Sequence, residues 1–102
     1  MAYLICYDIS KDSLRTRLGK EIIKYGLDRI NKSVYLGPTS KSSLTKLEAW
    51  IAQEMAAKGD PDDSCIVIAV DKEQVQRMRI YGSRNFDPEE LSGGKSTLIL
   101  WK

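Results

Sequence analysis

The sequence predicts a single α+β sandwich, a small sheet with two helices packed on one of its faces. Three observations lead there. Residues 3 to 9 and 65 to 70 form apolar runs with no solvent-facing alternation, the pattern of strands that lie inside a sheet. Two other stretches, beginning near residues 12 and 42, repeat apolar side chains at helical spacing. The chain has 102 residues, enough for one modest core and too few for a second domain.

In chain order, residues 3 to 9 read Tyr-Leu-Ile-Cys-Tyr-Asp-Ile, a strand whose only charge is Asp8. Ser10 or Asp12 can cap the helix that follows, where Leu14, Leu18, Ile22 and Tyr25 share a face and Gly26 offers the left-handed exit. Residues 27 to 37 are extended, with Ile30, Val34 and Leu36 at even spacing. They fit one strand, or two short strands reversing near Asn31 and Lys32, because Asn-Lys is a weaker hairpin signal than Asn-Gly. Gly37 and Pro38 close this stretch, and a second helix is expected over residues 42 to 58. Its apolar face carries Leu44, Leu47, Ile51 and Met55, with Trp50 beside it and Gly59 at its end.

The turn residues 60 to 63 lead into the strand at 65 to 70, expected beside the first strand. Residues 72 to 82 read as a short helical turn and then a short strand through Met78, Ile80 and Tyr81. Residues 83 to 94 read as a loop and 96 to 101 as a final strand. With both helices on one face, the other face of the sheet is left open. An exposed face carrying Tyr7 or Tyr35, and a last strand after a long loop, point to a second subunit as its cover.

Composition narrows the chemistry. Sixteen Lys and Arg against fourteen Asp and Glu give a net charge of +2, and there is no histidine. Ser-His-Asp and Cys-His catalysis and histidine metal sites are therefore excluded, and two cysteines, Cys6 and Cys65, cannot supply a structural zinc site. Both cysteines fall in apolar segments and read as reduced core residues. Any pH response must come from a perturbed carboxylate or thiol. The longest apolar run is far short of a membrane span and the start lacks a basic leader, so a soluble, cytoplasmic protein is expected with no membrane partner. The charge is unevenly spread: residues 11 to 46 hold nine Lys or Arg against Asp12, Glu21 and Asp28, a local balance of +6. Such a face favours an anionic partner, although a solvated helix gives a similar count.

Asp8 is the sharpest local signal, because a carboxylate at the end of an apolar strand must be paired, hydrated or used. Backbone amides or Ser10 suffice to hold it with no further role. Magnesium prefers several oxygen ligands, so Asp8 alone is a poor site unless a two-fold axis brings a second Asp8 close. A Mg²⁺ ion shared by the two carboxylates could activate water against a phosphodiester without any histidine. Arg17, Lys20 and Lys24 share a stripe on the first helix, and Arg15, Arg17 and Ser33 have the donors to bind phosphate. The tyrosines suit base stacking less well than they suit a core. Residues 93 to 97, Gly-Gly-Lys-Ser-Thr, lack the spacing and the following helix of a phosphate-binding loop.

Tyr7-Asp8-Ile9-Ser10 after an apolar strand, a basic helix, Tyr25-Gly26-Leu27, and then Ser33-Val34-Tyr35-Leu36-Gly37 together resemble the small CRISPR-associated adaptation protein family, the non-integrase subunit of the spacer-acquisition complex. The resemblance covers residues 3 to 70. It implies a ferredoxin-like βαββαβ subunit with an additional C-terminal strand, two strands in the 27 to 37 stretch, and a homodimer in which residues 83 to 102 contact the partner and residues 1 to 82 form the domain. It maps the family's metal-linked aspartate onto Asp8, its arginine pair onto Arg15 and Arg17, and its strand serine onto Ser33. Members of this family are described as metal-dependent nucleases in some cases and as DNA-bridging scaffolds in others. The resemblance therefore implies double-stranded DNA and the CRISPR integrase subunit as partners, with single-stranded RNA as an alternative substrate. A toxin-like metal-dependent endoribonuclease of similar fold is the alternative, and a small-molecule- or protein-binding dimer is the plainest one. Lys32 departs from the Gln or Tyr common before the serine.

Overall fold

The computed structural model describes residues 1–82, so the expected loop at 83 to 94, the strand at 96 to 101 and the Gly93-Gly94 segment lie outside the described residues. Strand β1 (Ala2–Asp8) leads into helix α1 (Asp12–Lys24), which is followed by β2 (Asp28–Asn31) and β3 (Val34–Pro38). Helix α2 (Lys41–Lys58), strand β4 (Ser64–Val70) and the short helix α3 (Lys72–Gln76) complete the described chain. The sheet order is β2-β3-β1-β4 with every pair antiparallel, which is a ferredoxin-like βαββαβ arrangement. β1 lies in the middle, pairing Ile5 with Tyr35 of β3 and with Val67 of β4.

Side chains alternate across β1, and the odd positions face the helices. Tyr3, Ile5, Tyr7 and Ile9 are buried with Leu14, Leu18 and Ile22 of α1 and with Leu44, Leu47 and Ile51 of α2. The even positions after Ala2 are less covered: Leu4 and Cys6 are half-buried and Asp8 is exposed. On this second face α3 packs Val75 against Ala2 and Leu36, with Leu4, Ile30, Val70 and Met78 around them. Ile66 and Ile68 of β4, beyond that patch, are 52% and 47% exposed.

Several sequence expectations are corrected here. Tyr7 and Tyr35 do not lie on the open face. Their odd register puts them under the helices, and the open face carries aliphatic side chains instead. The apolar run in β4 is not buried on both faces, because Ile66 and Ile68 lie beyond the part of that face that α3 covers. Neither Ser10 nor Asp12 caps α1: the cap residue is Lys11, with no side-chain cap bond, since Ser10 is committed to Asp63. No strand forms through Met78, Ile80 and Tyr81; Met78 packs against the second core while Ile80 and Tyr81 are exposed. The 27 to 37 stretch resolves into two strands, with an irregular register between Arg29 and Asn31. Gly26 ends α1 at φ +100°, a conformation that favours glycine, as the sequence predicts. Cys6 and Cys65 are free and half-buried, and burial pushes the Cys65 thiol up to about 11.

Candidate functional site

Asp8 is the last residue of β1 and pairs across the sheet with Ser64. Its position follows from the alternation: an even residue at a strand end projects from the open face. The chain then crosses a short loop to α1, and this loop is held from both sides. On one side, Asp63 accepts hydrogen bonds from the Ser10 amide (3.0 Å) and the Ser10 hydroxyl (3.1 Å) on one oxygen and from the Asp60 amide (2.8 Å) on the other. These donors, the Asp60 amide foremost, hold the Asp63 carboxyl below its usual value. Lys11 donates to the Lys58 carbonyl at 3.0 Å and pairs with Asp60 at 3.5 Å. On the other side, Arg15 donates to the carbonyls of Ile9 (2.8 Å) and Ser10 (3.2 Å) and pairs with Asp12.

Beneath this loop the Tyr7 and Tyr35 rings stack with centroids 5.9 Å apart, and their hydroxyls are 3.1 Å apart. The Tyr7 hydroxyl donates to the Arg15 carbonyl at 3.4 Å. Burial, reinforced by Tyr35, pushes the Tyr7 phenol above its usual range. Gly19 makes the pair possible, because a Cβ there would stand 2.6 Å from the Tyr35 hydroxyl.

A cleft of about 830 Å³ opens between α1 and the β2–β3 hairpin, above the tyrosine pair. Asp8, Asp12, Arg15 and Lys20 line it from the β1–α1 side, and Arg29, Lys32 and Ser33 from the hairpin. The hairpin turn is fastened by Arg29, which donates to the Asn31 carbonyl (3.3 Å) and twice to the Lys32 carbonyl (3.1 and 2.9 Å). The Asn31 side chain accepts from the Lys32 amide at 2.7 Å. The Ser33 carbonyl accepts from the Tyr7 amide at 3.1 Å, which ties the turn to β1.

Of the nominated residues, the structure gathers Asp8, Arg15, Lys20 and Ser33 about this one cleft and leaves Arg17 and Lys24 outside its lining. The basic stripe of α1 is thereby divided. Arg17 turns to α2, where Nε and Nη2 meet one oxygen of Glu54 at 2.9 and 2.7 Å, and Lys58 approaches the same oxygen at 3.5 Å. Lys24 pairs with Glu21 at 3.4 Å. Sequence reasoning passed over Arg29 and Lys32 as site residues; the signal was their place at the reversal, which spacing left open and the resemblance implied. Asp63 gave no signal, because nothing local links it to Ser10.

Among the described residues no group of three or more His, Cys, Asp or Glu could hold a metal ion. Asp8 is the right kind of donor for a hard cation such as Mg²⁺, but one chain does not supply the number. No helix among the described residues is long and apolar enough to cross a membrane.

Comparison with known proteins agrees with this fold. Residues 1–78 match the family described as CRISPR associated protein Cas2. The chain is 35% identical over 86 residues to the CRISPR-associated endoribonuclease Cas2 of Thermofilum pendens, covering 84% of this chain and 88% of that protein. It is also 35% identical over 65 residues to the protein of the same name from Aeropyrum pernix, covering 64% of this chain and 68% of the relative. The crystal structure of Streptococcus pyogenes Cas2 at pH 6.5 shares the fold with a TM-score of 0.67 at 20% identity, covering 80% of this chain and all of that one.

Proposed function

The chain belongs to the CRISPR-associated Cas2 family, and we propose that it is a dimeric adaptation protein that binds double-stranded DNA and bridges integrase dimers during spacer acquisition. The observation that carries this reading is the cleft beside Asp8, where Arg15, Lys20, Arg29 and Lys32 outnumber the carboxylates of Asp8 and Asp12. Cations grouped on one concave surface suit phosphates of any sequence, and such binding weakens steeply with salt. Of the expected contacts, Lys20 and Ser33 line this cleft, Arg15 adds its charge from the wall, and Arg17 and Lys24 lie outside it, paired with Glu54 and Glu21. The open sheet face, with Ile66 and Ile68 half bare, is the candidate surface for the second copy.

The exposed Asp8 carboxylate favours a second reading, a metal-dependent endonuclease acting on DNA or single-stranded RNA, in keeping with the endoribonuclease names of the relatives. In that reading Asp8 of each copy would hold a Mg²⁺ ion, which when bound supplies an acidified water and charge for a phosphodiester. The chain's own part is to fix Asp8, through β1 pairing on both sides and the tethered loop after it.

The test is cleavage of end-labelled single-stranded RNA and duplex DNA with Mg²⁺ by the wild type and by Asp8→Ala. Cleavage lost in the variant, with dimer and duplex affinity retained, establishes a phosphodiesterase site. No cleavage by either form, with salt-sensitive duplex binding by both, establishes the scaffold alone. Absence of duplex binding by the wild type refutes the scaffold.

A further inference from the structure

We propose that Lys20 and Lys32 form a clamp for one backbone phosphate of a DNA duplex, gripping it between α1 and the β2–β3 turn, while Arg15 and Arg29 build the walls of the cleft and do not bind the ligand. The inference rests on the nucleic-acid reading above and divides its basic residues by what each already does. The Arg15 guanidinium is spent on two carbonyls and Asp12, and the Arg29 guanidinium on the carbonyls of Asn31 and Lys32. Turning either arginine onto a phosphate would strip those carbonyls of their donors and loosen the loops that frame the cleft. Arg17 would have to leave Glu54, whose side chain is only 14% exposed.

Lys20 and Lys32 are exposed, line the cleft from opposite sides, and make no ion pair or side-chain hydrogen bond among the described residues. They bring charge to a ligand and break nothing to do so. The base of Lys32 is also fixed, since its amide donates to Asn31 and its carbonyl accepts twice from Arg29. Only the side chain is left to search for the anion, which lowers the ordering cost of binding. An ammonium is a compact charge with three rotatable donors, suited to a phosphate met in any orientation and to no particular base.

The experiment is a salt titration of binding to two fluorescein-labelled DNA duplexes of unrelated sequence. It compares the wild type, the double variant Lys20→Gln/Lys32→Gln, its charge-preserving counterpart Lys20→Arg/Lys32→Arg, and a control pair outside the cleft, Lys41→Gln/Lys46→Gln. The cleft variant is expected to lose affinity on the order of tenfold at low salt, equally for both duplexes, with the log–log salt slope shallower by about one for each phosphate gripped by a lysine pair. The arginine pair should keep most of the wild-type slope, and the control pair should change it less than the cleft pair does. Unchanged affinity in the cleft variant while the wild type binds overturns the clamp and leaves the nucleic-acid reading standing. Equal losses in cleft and control pairs also overturn it, because they describe a diffuse field. A wild type that binds neither duplex overturns the reading and the clamp together.

Discussion

The two faces of the sheet are made by the same strands and end in opposite conditions. Toward the helices, Ile5 is fully buried and Tyr3, Tyr7 and Tyr35 are no more than 8% exposed. On the other face, one residue along the same strands, Ile66 and Ile68 stay about half exposed and Asp8 stands in solvent. One face is completed by the described chain, whereas the other is covered by α3 over only part of its area. The lesson is that an apolar strand run reports what a strand can bury and does not say who buries it.

The sharpest way to break this contrast is to remove an isoleucine from each face. Ile5→Ala should cost about 2–5 kcal/mol in urea unfolding, the range for truncating a core side chain that cannot be replaced by neighbours. Ile68→Ala should cost the isolated chain about 0.5 kcal/mol or less. If a second copy covers the open face, the wild-type midpoint will rise with protein concentration and Ile68→Ala will lose much of that rise. A midpoint flat in concentration would mean that the face stays bare.

Within the covered face, Gly19→Ala should destabilise by about 1–3 kcal/mol through collision with the Tyr35 hydroxyl, despite alanine's better helix propensity. The double variant Gly19→Ala/Tyr35→Phe should recover most of the loss, because it removes the atom that is struck. No recovery would place the strain in the backbone. The smallest effect is expected at the tether beside the open face. The Asp63 carboxyl is held low when folded, so its contribution is complete above the unperturbed carboxylate value of about 3.9 and disappears as pH falls through the lowered one. Urea midpoints should therefore drop on acidification, and Asp63→Asn should show less of that drop. An identical pH profile in the variant would assign the acid sensitivity elsewhere.

Much of the fold was legible because its signals are local. Leu14, Leu18 and Ile22 mark α1, Gly26 marks its end, and Leu44, Leu47 and Ile51 mark α2, all read from spacing alone. Spacing alone left the hairpin open, and only the family resemblance implied it, since a reversal at Lys32 and Ser33 depends on Arg29 and Asn31 fastening the turn, a set of contacts that no turn dipeptide announces. The faces of Tyr7 and Tyr35 were misjudged because alternation gives two sets of residues without saying which set meets the helices. At the site, Asp8 stood out as a lone charge in an apolar run. The fate of Arg15 and Arg17 depended on carbonyls and on Glu54, partners that charge counting does not reveal.

The bond between Ser10 and Asp63 spans more than half of the described chain and sets the order in which the site can come together. Every residue lining the cleft has been added to the chain by position 35, and α1 and the hairpin are built from near neighbours. Arg15 holds the loop leaving β1 from nearby, but its second fastening, Asp63, comes 53 residues after Ser10, just ahead of the strand that completes the sheet. Contacts of such separation form late, after the entropy of closing the intervening chain has been met. A nascent chain thus holds all the parts of its cleft well before it can hold them still, and rigidity arrives together with β4.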